Sequence, residues 1–245
     1  MKLAAMQPYF FPYLGQFDLL NQVDIWIAYD PCQYIRHGWI NRNRVLHPAA
    51  GWQYITVPLK KHAHITPINQ IGIANEYWKG ELFKKLQHYH RRAPFYRQVI
   101  AFLEEALAHV DSNLVKMNVN LFEQTARLLG VHTPIFVFSS MSLELEPVRG
   151  PANLALTLCQ AVGAHTYINP PGGASLYAPQ DFTREGIQLI IQSYTPMIYD
   201  CSSYEFIPNL SILDVLMWNS PETIKRYLDI LRLRAEASIE NDPID

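Results

Sequence analysis

Residues 1–30 read MKLAAMQPYFFPYLGQFDLLNQVDIWIAYD, and this stretch decides the fold. Lys2–Met6 is a short apolar run closed by Gln7 and Pro8, the pattern of a buried strand ending in a turn. From Tyr13 to Asn21 the apolar residues Leu14, Phe17 and Leu20 recur at helical spacing. Residues 25–29 (IWIAY) form a second apolar run, closed by Asp30 and Pro31. A strand, a helix and a strand in so short a span make a βαβ unit, and such a unit implies a parallel sheet.

The pattern continues outward. Residues 54–59 (YITVPL) read as a third strand, with Pro58 favouring an edge or an exit. The middle of the chain is helical. Residues 77–92 carry Trp78, Leu82, Leu86 and Tyr89 on one face, and Pro94 opens a second helix with Val99, Leu103, Ala106 and Val110 inward. A third helix is expected over 113–129, with Asp111 or Ser112 as N-cap and Gly130 at its end. Two later segments, LLGVHTPIFVFS and AVGAHTYINPP, share one order: helix end, glycine, His–Thr, apolar strand. Residues 188–194 give the last strand. Ser220–Pro221–Glu222 starts a final helix that packs Ile224, Leu228 and Leu231 on the body. About six strands interleaved with helices predict an α/β fold. The expected form is a three-layer, mostly parallel doubly wound sheet with an extra helical block at 76–129. One domain over 1–238 and a short acidic tail at 239–245 are expected.

Composition narrows the function classes. With 49% hydrophobic and 12% aromatic residues the chain can build a sizeable core. A net charge of −2 argues against a dedicated nucleic-acid surface. Cys32, Cys159 and Cys201 are odd in number and widely spaced, so they read as buried or half-buried thiols in a reducing compartment. No apolar run approaches a membrane span, and the start is too short for a signal peptide. A soluble, cytoplasmic protein without membrane insertion is expected.

Charge is unevenly placed. Residues 31–75 contain no Asp or Glu, yet they carry Arg36, Arg42, Arg44, Lys60, Lys61 and four histidines. In a parallel sheet the loops after the strands share the carboxyl edge, where ligands bind, so their contents pool. Strand one contributes Gln7, Tyr9, Tyr13 and Gln16. Strand two contributes Asp30, Gln33, Arg36, Trp39, Arg42, Asn43 and Arg44. Strand three contributes Lys60, Lys61, His62 and His64. The later strands add Ser139, Ser140 and Ser142, then Asn169, Gly172, Gly173 and Ser175. Cations, amides, hydroxyls and rings with one obvious acid suit an anionic, partly planar ligand such as a nucleotide or a phosphorylated small molecule.

Plainer readings stand beside these. The aromatic run 9–13 serves equally as a plug at the end of the sheet, and Arg42–Asn43–Arg44 as a solvated turn. PPGG at 170–173 is by default a tight turn, with a phosphate-cradling nest as the lesser reading. The pairs His62/His64 and His88/His90 lack an accompanying carboxylate or cysteine, so no metal site is expected. No GxGxxG, Walker, HExxH, GxSxG or Cys–His signature is present.

The stretch MQPYFFPYLGQFDLLNQVDIWIAYDPCQYIRHGWINRNRV closely resembles the opening of the WbqC-like protein family of bacteria. The likeness continues through YITVPLKK, the motif at 92–96, GAHTYINPPGG and FIPNLSILDVL. The resemblance implies association with surface-polysaccharide gene sets and a glycine or aminoacyl transfer role. A more distant likeness joins residues 9–15 and 30–34 to the adenylate-forming nucleotidyltransferases related to pantothenate synthetase. Both histidines of that family's HxGH loop are absent, so Arg42, Arg44 or Lys60 would have to stabilise phosphate charge instead.

The resulting expectation is a transferase or ATP-dependent ligase that attaches a small acyl or aminoacyl group to a sugar or amine. Its donor would be anionic and nucleotide-like; the cofactor is left open, ATP or another nucleotide being one candidate. Asp30, Arg42 and Lys60 are the catalytic candidates. Gln7, Tyr9, Tyr13, Gln33, Asn43, Arg44, Gly172 and Gly173 are the binding candidates. Asp30 would need a raised pKa to act as a base, and its cationic surroundings favour an orienting role instead. The alternative is a non-catalytic protein that binds a nucleotide or phospho-ligand. An oligomer is compatible with either, since Trp218 and the last helix suit a core or an interface.

Overall fold

The computed structural model describes residues 1–143 and 150–240. In chain order its elements begin with β1 (Lys2–Met6), α1 (Leu14–Gln22), β2 (Ile25–Ala28), β3 (Arg42–Leu46) and β4 (Trp52–Thr56). Three helices follow: α2 (Tyr77–Leu86), α3 (Tyr96–Ala106) and α4 (Leu114–Leu128). The second half contains β5 (Ile135–Val137), α5 (Pro151–Val162), β6 (Thr166–Asn169), α6 (Pro179–Arg184), β7 (Gln188–Ile191), α7 (Ile212–Trp218) and α8 (Pro221–Glu240). The expected tail beyond residue 240 lies outside the described residues, and α8 continues through Glu240.

The opening βαβ unit forms as its sequence predicts. β1 pairs with β2 in parallel, with Leu3 opposite Ile25 and Met6 opposite Ala28. The full sheet has the order β5-β2-β1-β6-β7, and every pairing in it is parallel. The chain winds outward from β1 to β5, then crosses back to β6 and β7. The switch point therefore lies between β1 and β6.

Side-chain alternation builds the layers. Ala4, Trp26, Ala28 and Ile168 face one core with α1, α4, α7 and α8, whereas Leu3, Ile27 and Tyr167 face the other with α5 and α6. A doubly wound, three-layer α/β arrangement results. The two Gly–x–His–Thr segments behave alike: Gly130 and Gly163 both have φ near +70° and end α4 and α5 before β5 and β6.

Two expectations require correction. The segment at 54–59 is not a strand of the parallel sheet. β4 pairs antiparallel with β3 as a separate hairpin, with Arg44 opposite Tyr54. Residues 42–44 are consequently strand rather than turn. Along β3, Asn43 and Val45 point into the core, while Arg42 and Arg44 lie on the other face. A buried asparagine between two arginines hides this alternation in the sequence. The cap of α4 is Asn113, not Asp111 or Ser112. Its Oδ1 accepts from the backbone N–H groups of Val115 and Lys116 at 3.0 and 3.1 Å. Of the helical block, α4 itself supplies the layer helix between β2 and β5.

The connection after β1 is buried, and its backbone needs partners that no regular element provides. Phe10 and Phe11 sit in the core, and Phe11 adopts φ +38°. Pro8 and Pro12 lack N–H groups, so carbonyls dominate the demand. Asn118 of α4 donates to Pro8 O at 2.8 Å and Ile40 O at 2.6 Å. Asn43 of β3 donates to Phe10 O and Phe11 O at 3.1 and 2.8 Å. Ser211 Oγ, before α7, donates to Phe11 O at 2.8 Å, and Ile212 N reaches Pro12 O at 2.8 Å. Replacing Asn118 with alanine leaves buried carbonyls unpaired and is expected to lower unfolding stability by about 2–4 kcal/mol. Asn113→Ala, which removes the cap and a half-buried bond to Asn69 O at 2.7 Å, should cost less, about 1–2 kcal/mol. Urea unfolding of the two variants checks the order, and equal losses would contradict it.

α1 is buried on all sides, including its polar residues Gln16, Asp18, Asn21 and Gln22. Gln22 Nε2 and Gln192 Nε2 donate to Asp18 Oδ2 at 2.8 and 2.6 Å, and Asn21 reaches Asp229 of α8. Burial raises the Asp18 pKa from 3.8 to about 6, against the opposing effect of the two amide hydrogen bonds. The folded state thus binds a proton more tightly than the unfolded chain. Its stability is greatest below pH 3.8 for this group and falls as pH rises to about 6. The loss above that window is on the order of 3 kcal/mol. Asp18→Asn should flatten this part of the pH–stability curve and raise stability at pH 7. Thermal melts between pH 4 and 7 would refute the assignment if the two curves stay parallel.

Candidate functional site

A cleft of about 720 Å³ opens at the carboxyl edge, at the β1/β6 switch point. Met6 and Gln7 enter it from the end of β1, and Tyr29 and Cys32 from the end of β2. Asn169, Gly172 and Gly173 approach from the turn after β6, and Gly150 and Pro151 from the first turn of α5. Tyr9, Tyr13, Gln16 and Trp39 close the remaining wall. A second chamber of about 380 Å³ shares Tyr9, Tyr13 and Trp39 with the first, and adds Asn43, Arg44, Tyr194 and Asn209.

The loop held by Asn43, Asn118 and Ser211 explains the aromatic placement. Phe10 and Phe11 plug the core beneath the sheet edge while Tyr9 and Tyr13 line the chambers. Plugging and lining are therefore divided within one run of sequence. Tyr13 leads into α1, and its ring folds back over Gly15 and packs against Tyr194 with centroids 5.6 Å apart. A Cβ at Gly15 would stand 2.3 Å from Tyr13 Cε2. Gly173 makes a similar close approach: a Cβ there would lie 2.6 Å from Asn169 Nδ2.

No described residue lining the first chamber bears a formal charge at pH 7, and Arg44 is the one cation lining the second. Its guanidinium lies 5.2 Å from the Trp39 ring centroid and 5.1 Å from that of Trp52, with Nε buried and unpaired. The first turn of α5 adds the positive end of a helix dipole to the first chamber. Burial raises the Tyr9 and Tyr13 pKa values, so both phenols are protonated at neutral pH. Burial pushes the Cys32 thiol up to about 11, which makes it a poor nucleophile near pH 7.

Of the residues selected from sequence, Gln7, Tyr9, Tyr13, Gly172 and Gly173 meet in the first chamber, and Asn43 and Arg44 line the second. Four others lie elsewhere. Asp30 is fully buried and receives Ser139 N at 2.9 Å and Ser139 Oγ at 2.5 Å, tying β2 to the turn after β5. Arg42 donates to Gly38 O and His37 O and lies over the Tyr54 ring at 4.1 Å. Lys60 is exposed, its alkyl chain resting against Gly72. Gln33 donates to His64 O at 3.0 Å, away from either chamber. Arg42 and Lys60 were expected on the sheet's carboxyl edge. Arg42 misses it because its guanidinium is held by the His37 and Gly38 carbonyls, and Lys60 because it follows the hairpin at the surface.

Sequence reasoning missed the α5 terminus, Tyr29 and Cys32 as cleft residues. One signal was available: in a parallel sheet, helix N-termini gather on the same edge as the loops, and Gly150–Pro151 is a helix-start pair. The paired histidines also find partners: His62 meets the Tyr34 ring, and His88 and His90 meet Tyr89 and Tyr96.

Together these features define an open, doubly wound α/β protein with a ligand-sized cleft at its switch point. The chain belongs to the WbqC-like protein family, whose model matches residues 7–226. It is 28% identical over 218 residues to the uncharacterized protein Rv1507c of Mycobacterium tuberculosis (strain ATCC 25618 / H37Rv), covering 88% of this chain and 92% of that one. No solved structure matches it.

The Tyr13–Gly15 contact gives a direct test of the cleft wall. Gly15→Ala should destabilise the protein by about 1–3 kcal/mol through overpacking. In a Tyr13→Ala background the same change should be neutral or slightly stabilising, because alanine is the better helix former. A double-mutant cycle measured by thermal unfolding would disprove the contact if the two effects add.

Proposed function

We propose that the protein transfers a small acyl or aminoacyl group from an anionic, nucleotide-like donor to a sugar or amine. The carrying observation is the joined pair of chambers, one with no charged side chain among its described lining residues and one holding Arg44, with Tyr9, Tyr13 and Trp39 between them. Rings with the amides Gln7, Gln16 and Asn169 suit a neutral, hydroxyl-rich molecule such as a sugar. A guanidinium held between two indoles suits the phosphate of a donor. Membership of the WbqC-like family agrees with a biosynthetic role.

The lack of charge among the described residues of the first chamber shapes the proposed chemistry. Among the described residues, no carboxylate or imidazole lines either chamber. Transfer would rest on holding an acceptor amine against an already activated acyl carbon. The amine lone pair forms the new bond, the donor leaving group departs with its electron pair, and the amine proton passes to that group or to water. Protonated Tyr9 and Tyr13 would donate hydrogen bonds to the developing oxyanion. ATP-driven adenylation fits less well, because Arg42 is occupied by the His37 and Gly38 carbonyls and neither it nor Lys60 lines a chamber. The lack of a base among the described lining residues also favours a second reading, a binding protein for the same ligand without turnover.

Titration with nucleoside diphosphates and their sugar conjugates tests the shared pocket. Arg44→Ala should weaken binding by about 10- to 100-fold, the range for a hydrogen bond to a charged group. Failure of the wild-type protein to bind any of them would sink the proposal. ATP–pyrophosphate exchange is expected to be absent, and exchange lost in Arg44→Ala would replace transfer with ligation. Saturable binding without turnover on any activated donor would select the binding protein.

A further inference from the structure

The acid-free window also builds a surface that the cleft does not use. Segments 33–37 and 60–67 lie side by side: Tyr34 N donates to Thr66 O at 3.2 Å, and Gln33 Nε2 to His64 O at 3.0 Å. The ring of Tyr34 meets that of His62 at 5.0 Å and seals the base of the lobe. On its outside, Ile35 and Ile65 are 60% and 79% exposed. Arg36, Lys60 and Lys61 are exposed in the same two segments, and among the described residues no carboxylate pairs with any of them. An isolated exposed isoleucine needs no explanation, but two on one lobe, in segments that also carry cations without a carboxylate partner, do.

We propose that this lobe docks the protein on an anionic lipid bilayer, with the isoleucines entering the interface and the cations meeting headgroup phosphates. Charge complementarity selects the partner. Cations without acids attract a negative surface, and branched aliphatic side chains gain free energy by leaving water for the acyl boundary. A single-stranded nucleic acid would share the electrostatic term, but it is bound through aromatic stacking platforms, and isoleucine offers none. The described residues contain no helix long and apolar enough to cross a membrane, so the association is peripheral. The lobe leaves the cleft wall at Cys32 and returns to it at Trp39. Docking through it brings the mouth of the cleft toward the bilayer.

Vesicle flotation tests this independently of any ligand in the cleft. Vesicles of phosphatidylcholine containing about one-third phosphatidylglycerol should bind the protein at least tenfold more tightly than phosphatidylcholine alone. Raising salt well above 0.15 M should weaken the binding, because the headgroup attraction is screened within about 8 Å at that ionic strength. Ile35→Ser combined with Ile65→Ser should lower affinity at least tenfold, and Lys61→Glu at least about fivefold. These positions are exposed, so the melting temperatures of the variants should match the wild type. Equal affinity for the two vesicle types, no flotation, or unchanged binding by the double serine variant would overturn the proposal. So would RNA binding without flotation.

Discussion

The fold depends on satisfying the carbonyls of one buried loop. Residues 8–12 leave the central strand of the sheet and run beneath its carboxyl edge, where water cannot serve them. Three elements from distant parts of the chain answer: α4 through Asn118, β3 through Asn43 and α7 through Ser211. Each of these side chains is buried, and each is bonded to backbone rather than to another side chain. An unpaired buried carbonyl costs about 1–3 kcal/mol, so each of the three clamps stabilises the loop and the element that carries it. The helical block, the hairpin and the C-terminal helices are thereby fixed around a single turn of chain.

A second buried polar group reinforces the same assembly. Asp214 of α7 accepts from the Tyr89 hydroxyl, after α2, and from the Tyr199 hydroxyl at 2.7 Å. Tyr89 in turn accepts Leu46 N of β3 at 2.9 Å. Burial raises the Asp214 pKa while the two phenols oppose it. The hairpin is therefore held at both ends, at Asn43 by the loop and at Leu46 by this network. Rigid anchoring of β3 positions Arg44, whose partners are rings and not a carboxylate. A cation so placed keeps its charge available to a ligand.

Much of the fold was legible because two periodicities were clean. β1 and β2 alternate between two cores, and the paired Gly–x–His–Thr segments mark two helix ends before two strands. The hairpin was not legible. Its first strand carries a buried asparagine flanked by arginines, and that pattern reads as a polar turn unless the loop carbonyls it serves are known. Asp30 shows the reverse case. A lone acid after a strand stands out in sequence, and in the structure its carboxylate closes a turn through Ser139. For the cleft, Gln7, Tyr9 and Tyr13 could be read directly, since loops after parallel strands share one edge. The cations could not be assigned, because strand pairing rather than composition decides which of them reach that edge.

That partition also explains why one explanation cannot cover the whole acid-free window. Arg36, Lys60 and Lys61 are exposed to solvent and line neither chamber, and a charge there is screened within about 8 Å, so they add little field inside the cleft. Arg42 is occupied by backbone carbonyls and the Tyr54 ring. Arg44 alone of the five lines a chamber, and a single nearby acid would suffice to cancel it. Depletion of acids near β3 is therefore a condition on the chamber, whereas depletion in the outer lobe is a condition on whatever surface the lobe meets. The two demands fall on adjacent stretches of chain only because the segment between Cys32 and Trp39 leaves the cleft wall and comes back to it.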